Sequence, residues 1–391
     1  FRGEIIMNVI IKKRKIFIMA LIFSIGIFAV GAISANTAKE SSYSSKLVNV
    51  NTLLNSEDLK QDEDLSNVSE ISVNNNQNVD ITRGGNYRIR GNARESTINV
   101  DISKKDNITL ILDGVNIDNK NFPAIYVKSA GKVSIITAGN SKNEFKVTGK
   151  FSDIENSEID AVIFSNSDLV FKGTGRLIIA SGEGNGVFSK NNLKVTGGTY
   201  AINSREHALS SENSVIISGG TFVINTAKDG IHSENSNDNS TGYVYISGGT
   251  FKIDAEDDGI QATTFAIIDG GEFSIDAAEG IEATHIQIND GDIDIQASDD
   301  GINAAEKSTA YKINLELNGG KINIVMAEGD TDAFDSNGNL TINGGNISIK
   351  ANSAFDFDGN GQMNGGTVTV NGVRMTTLTN QMFPRGQRGR R

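Results

Sequence analysis

Cysteine and tryptophan are absent from the 391 residues, and proline occurs only twice. Without thiols there is neither a disulfide framework nor a thiolate metal site. Basic residues are outnumbered: 36 Lys and Arg stand against 48 Asp and Glu, for a net charge of −12. That balance excludes nucleic acid as the main partner, because phosphate binding needs clustered Lys and Arg. No Arg occurs between Arg205 and Arg374, and no phosphate loop, nucleophile elbow or Ser-His-Asp pattern appears. Helical 3.6-residue periodicity is missing too. What the chain has in excess is glycine, with 42 residues. Its length suits one large domain or two ordinary ones.

The ends differ from the middle. "KKRK" at positions 12–15 precedes an apolar run over 16–30, and small residues follow it near Ala35. Residues 1–35 are therefore expected to be a secretory signal peptide, with a retained membrane anchor as the alternative. Residues 36–79, rich in Ser, Asn, Asp and Glu, are expected to be a disordered spacer. Residues 373–391, ending in "PRGQRGRR", are expected to be a basic tail. The exported product would be secreted, or held at the cell surface.

Residues 80–372 repeat. Glycine pairs end at Gly198, Gly220, Gly249, Gly271, Gly320, Gly345 and Gly366, and Asp290-Gly291 fills the one missing place. A period of 20 to 29 residues marks a solenoid. Apolar residues alternate before each turn (Val215 and Ile217, Val244 and Ile246) and after it (Phe222 and Ile224, Phe251 and Ile253). A third apolar position follows an acidic turn: Leu209, Ile231, Ile260, Ile281, Ile302, Phe334 and Phe355. Period two means strands with one buried face. Three short strands per repeat predict a right-handed parallel β-helix, with Phe222, Phe251 and Phe273 stacked inside. Gly supplies the positive φ of the sharp turns. The coils before about residue 190 alternate in the same way but with longer loops.

The segments "NITLILDGVNI", "PAIYV", "LKVTGGTY", "VIISGGTF" and "YVYISGGTFKIDAEDDGIQA" resemble secreted bacterial carbohydrate-binding β-helix proteins of pectate-lyase-like fold. The resemblance covers about residues 80–372 and is carried by the order of the segments more than by any one of them. It implies binding of acidic sugars and cellulose, with bound calcium.

Aligned on the repeat, the residue before the glycine of the acidic turn runs His207, Asp229, Asp258, Glu279, Asp300, Asp332 and Ser353. Three positions on stand Ser210, His232, Gln261, Glu282, Asn303, Asp335 and Asp356. Stacked coils would place these in two ladders on one outer edge, with neighbours ~4.8 Å apart. Turn chemistry is one account, since Asp and Asn favour such turns. Calcium is the other: it takes six to eight oxygens and tolerates irregular geometry. Turn chemistry needs one Asp, yet Asp257-Asp258 and Asp299-Asp300 are doubled and Glu282 is added. The expected Ca2+ ligands are Asp229, Asp257, Asp258, Glu279, Glu282, Asp299, Asp300, Asn303, Asp332, Asp335 and Asp356. His207 and His232 read as solvated turn residues.

The expected function is non-catalytic binding of polysaccharide, of anionic type, through that calcium. A lyase would need a base to abstract the C5 proton; with Arg absent from these coils, Lys228 and Lys252 remain, and both fit solvated strand edges. An enzyme is therefore not expected. With no Trp and seven Tyr, stacking on crystalline cellulose has weak support. The alternative is a structural fibre or adhesin subunit that associates end to end through its open strand edges.

Overall fold

The computed structural model describes residues 47–61, 67–152, 159–329 and 331–380. The expected signal peptide and the last eleven residues lie outside these. Among the described residues no helix is long and apolar enough to cross a membrane.

Apart from short helical turns at Val50–Thr52 and Ser56–Leu59, the described residues are all-β, a single sheet system of 34 strands built almost wholly of parallel pairs. Each repeat supplies three strands, and each strand pairs with its equivalent one coil further on. We call the faces leading, middle and trailing, in chain order. On the leading face Ser214–Ile217 pairs with Tyr243–Ile246. On the middle face Thr221–Thr226 pairs with Thr250–Ala255, which pairs with Glu272–Ala277. On the trailing face Leu209–Ser211, Ile231–Ser233 and Asp258–Ile268 follow in register. The result is a solenoid-like stack of coils.

Register explains the core. Like residues align: Val215 on Val244, Phe222 on Phe251, Ile231 on Ile260. One continuous apolar cluster therefore runs up the stack. Phe222 and Phe251 stack with centroids 4.8 Å apart, and Phe251 and Phe273 at 4.6 Å, as the alternation predicts. Such pairs add about 0.5–1.5 kcal/mol each beyond their burial.

The two glycine columns have different causes. Gly249, at the leading-to-middle corner, has φ +116°, and a Cβ there would meet the Phe251 ring at 3.0 Å. Gly259, in the Asp-Asp-Gly, was expected to serve a tight turn. It lies instead inside the strand Asp258–Ile268, without a positive φ. A Cβ on it would strike Ile275 Cγ2 at 2.4 Å and the Gly280 carbonyl at 2.6 Å. It is small because the coil above and the core leave no room.

An amide ladder closes the leading-to-middle corner. Asn289 donates to Asp269 (2.6 Å), Asn318 to Asn289, Asn343 to Asn318 and Asn364 to Asn343, the last three at 2.8 Å. In the first coils Gly85–Arg94 and Asn107–Asn119 run through two faces as single strands, which accounts for their looser sequence pattern.

Three expected boundaries change. The stack begins before residue 80, because Val68–Ser72 already pairs in parallel with the leading part of Gly85–Arg94. Residues 47–61, expected as disordered spacer, lie along the outside of the leading face. Leu53 packs with Ile216, Tyr245, Phe265 and Ile267. Asp58, only 1% exposed, receives Lys132 Nζ at 2.9 Å and Lys194 Nζ at 3.1 Å. At the other end Val373–Met375 folds back antiparallel on Thr367–Val370 through Asn371-Gly372, both with positive φ, the chemistry of a tight hairpin. Asn380 then donates to the Phe357 carbonyl (2.7 Å). Residues 373–380 are thus a cap over the last coil rather than a tail.

Candidate functional site

The two acidic rows are real features of the trailing face. In the first, Asp258 pairs with Glu279, and Asp300 with Asp332 and then Ser353. In the second, Ser210, His232, Gln261, Glu282, Asn303, Asp335 and Asp356 follow one another in register. The edge is more enclosed than the spacing alone implies. Asp229, Asp258, Gln261, Glu282 and Asn303 are buried, Glu279, Asp300, Asp332, Asp335 and Asp356 are half-buried, and Asp257 and Asp299 are exposed. Loops 234–242 and 305–313 lean together beside the row: Asn239 donates to Thr309 (3.0 Å) and Ser308 to the Asn239 carbonyl (2.5 Å).

Hydrogen bonds sort the first row. A side chain of one coil accepts the backbone N–H of the next: Asn185 from His207 (3.0 Å), Asp229 Oδ1 from Asp258 (3.0 Å) and Asp300 Oδ1 from Asp332 (3.1 Å). For these residues turn chemistry is a sufficient account. Asp229 is committed twice, since its Oδ2 lies 2.6 Å from His232 Nδ1 and 3.0 Å from His207 Nδ1. One of its carboxylate oxygens nevertheless lies within 4.8 Å of oxygens from Asp257 and Asp258, two others of the expected ligands. The two imidazoles, expected to be solvated, stack at 3.8 Å against that carboxylate. Burial would raise the Asp229 carboxyl, but the imidazole hydrogen bonds and charge outweigh it and hold the group well below the usual range.

Asp258, Glu279 and Glu282 are different. One carboxylate oxygen from each lies within 4.8 Å of the others. Burial, then the neighbouring carboxylates, push Asp258 far above the ordinary carboxylate range, and burial and Glu282 push Glu279 up to about 8. Asp300 rises to about 7 and Asp335 to about 6, each led by burial. Two neutral oxygens complete the surroundings. Gln261 Oε1 and Asn303 Oδ1 are buried and, among the described residues, have no hydrogen-bond partner. Asn303 turns its amide nitrogen to Glu279 Oε2 (3.1 Å), which leaves its oxygen unpaired. Orphaned buried acceptors cost about 1–3 kcal/mol each. Raised carboxylates and unpaired amide oxygens are both relieved by a hard cation that takes only oxygen.

The lower end is less assembled. Asp332 accepts the Ser353 hydroxyl, and Asp335 stands over Asp356. Among the described residues these do not converge as a three-ligand set. The sequence reading left Gln261 out of the expected ligands, although it stands in the acidic row; its amide signals nothing until its oxygen is seen to be buried and unpaired. It also missed Lys307, whose Nζ lies 2.5 Å from Glu282 Oε2. That residue sits in a loop outside the repeat and carries no periodic signal.

A family model described as carbohydrate-binding domain-containing protein matches residues 75–331 and 277–378. A relative of that description from Acetivibrio thermocellus is 37% identical over 143 residues, 35% of this chain and 49% of the relative. The chain thus spans about half the length of that curated relative. Among solved structures, the polysaccharide lyase-like protein from C. thermocellum, as its gadolinium derivative, matches with a TM-score of 0.52 and 32% identity over 58% of this chain and 96% of its own.

Proposed function

The chain belongs to the family of carbohydrate-binding domain-containing proteins, and from that premise we propose that it is a non-catalytic binder of anionic, uronate-bearing polysaccharide. The observation that carries this reading is the oxygen-only set of Asp258, Glu279 and Glu282, flanked by the unpaired oxygens of Gln261 and Asn303. These residues would hold Ca2+. Bound there, the ion supplies positive charge that offsets the carboxylates and can bridge them to sugar carboxylates that would otherwise be repelled.

Support for a binder over a lyase comes from the lysines. Lys228 and Lys252 are exposed. Lys307 faces Glu282, Asp258 and Glu279, which outweigh its burial and hold it charged, so it is no base. Against end-to-end fibre assembly stands the hairpin 367–375, which covers the middle-face edge of the last coil. We take the coils to wind right-handed, as parallel crossovers do in about 98% of cases. The reading also places the protein outside the cell, where calcium at millimolar levels would suit a module with Kd of roughly 10⁻⁴–10⁻³ M.

Calorimetric titration with Ca2+ and retention on polygalacturonate, each run on the parent and on Asp258→Asn/Glu282→Gln, test the proposal. The parent should bind both, and the double variant should lose both. Polygalacturonate retention that persists in the double variant, or in EDTA, would overturn it.

A further inference from the structure

Lys307 occupies a peculiar position. Its ammonium lies 2.5 Å from Glu282 Oε2, inside the acidic set, while its side chain remains 36% exposed against 7% for Glu282. It does not sit there by chance of a long side chain. The backbone N–H groups of Lys307 and Ser308 both donate to Thr284 Oγ1, at 3.0 and 2.8 Å. Thr284 is fully buried, two residues past Glu282 on the strand Glu279–Ile288, and its hydroxyl donates to the Thr263 carbonyl at 2.8 Å. The loop is fixed on its far side as well, through Ser308 to Asn239, Thr309 to Asn239, and the Tyr311 hydroxyl to the Ser240 carbonyl. The stem of Lys307 therefore starts from a pinned point, and only its flexible head is free to move.

Charge says what that head does. Once a cation has displaced the protons of Asp258 and Glu279, three carboxylates and one ammonium leave two net negative charges, which one divalent ion would neutralise. An ion drawing Glu282 into its coordination would repel the ammonium beside it. The pinned backbone keeps the displaced head within a side chain's length of the ion, on the solvent side. Two positive charges would then stand next to each other, facing outward.

We propose that Lys307 is half of a carboxylate-binding subsite: it holds Glu282 while the cation is absent and, displaced by the cation, receives the carboxylate of a uronate unit bridged to that cation. This rests on the cation reading given above. The sugar carboxylate offsets the repulsion between ion and ammonium, so cation and polymer raise each other's affinity by the same factor. A lysine that merely braced the loop would not couple the two.

The test compares the parent with Lys307→Met and Lys307→Arg, using Ca2+ alone and then polygalacturonate at saturating Ca2+. Removing the resident ammonium should tighten Ca2+ binding by roughly three- to tenfold, as expected for loss of a competing, partly exposed ion pair. The same variant should lose about tenfold in polygalacturonate affinity, within the usual range of such couplings. Lys307→Arg should recover the polymer, and hydroxyethyl cellulose, which has no carboxylate, should not distinguish the three proteins. Thermal melts in EDTA check that Lys307→Met is folded. Opposite signs for the ion and the polymer support the subsite. Unchanged or weakened Ca2+ binding in Lys307→Met, or unchanged polymer affinity, overturns it while the cation site stands. A parent that binds no Ca2+ overturns both.

Discussion

Replacing Asp258 with Asn should stabilise the metal-free protein and destabilise the calcium-saturated one. The side chain is buried on the trailing face, and its carboxylate lies within 4.8 Å of those of Glu279 and Glu282. At that separation two unit charges repel by about 0.9 kcal/mol in bulk water and about 3.5 kcal/mol at an effective dielectric of 20. The metal-free fold avoids much of this by keeping protons on Asp258 and Glu279, so the gain from Asn at neutral pH sits at the low end, on the order of 1 kcal/mol, and grows as pH rises. In calcium the sign reverses. An ion bound only to the folded state contributes about 2.7 kcal/mol at a hundredfold excess over Kd, and Asn removes one of three charged ligands. Scanning calorimetry in EDTA and in excess Ca2+ reads both effects. The melting temperatures of parent and variant should cross between the two conditions. A variant that melts higher in both, or lower in both, would show that Asp258 is a turn residue with no metal to serve.

Three more outcomes follow from the coils. The metal-free protein should lose stability as pH rises from about 4 to about 8: Glu279, Asp300 and Asp335 titrate near 8, 7 and 6 in the fold but near 4 when unfolded. In that window the folded state binds more protons, which makes the slope of unfolding free energy against pH negative; calcium should flatten it, and denaturant melts across the window check both. Deleting one whole coil, residues 244–264, should cost less than Phe251→Asp, because neighbouring coils re-pack alike whereas a lone buried carboxylate costs several kcal/mol; thermal melts rank the two. Asp58→Ala should free the segment 47–61 for protease cleavage at a cost of about 1–3 kcal/mol, since Lys132 and Lys194 keep partial access to water, with the stack itself still folded by circular dichroism.

How far the sequence reached depends on where each residue's partner lies. The strands, the Phe222–Phe251–Phe273 stack and both acidic rows were legible because a solenoid places like residues one period apart. Any structure set by that period leaves a trace in the spacing. The segment 47–61 leaves none. Leu53 and Asp58 stand in a polar stretch, and the lysines that Asp58 answers, Lys132 and Lys194, are 74 and 136 residues away. Lys307 is hidden for a similar reason, in a loop that no other coil repeats. The purpose of Gly259 was misread because a close approach of the next coil and a positive φ select the same residue.

The site itself illustrates why an acid count is a poor guide to a cation. Asp229 and Asp300 occupy the same row as Asp258, yet each gives an oxygen to the backbone N–H of the next coil. Read along the trailing face, the outward row changes from Tyr126, Phe164 and Phe188 through Ser210 and His232 to Gln261, Glu282 and Asn303 without a break in register. A solenoid allows such drift because each coil answers only to its neighbours. The position is kept by the fold while its chemistry is free to vary. What marks the coils from Asp258 to Asn303 is therefore not acidity alone. It is the conjunction, within three coils, of three converging carboxyl groups, with Asp258 and Glu279 raised by burial and by their neighbours, and two buried amide oxygens that, among the described residues, no donor satisfies. Turn chemistry would spend those oxygens on backbone N–H groups, as it does one coil earlier at Asp229. Here none is spent in that way, and a hard cation, as proposed above, would answer both kinds at once.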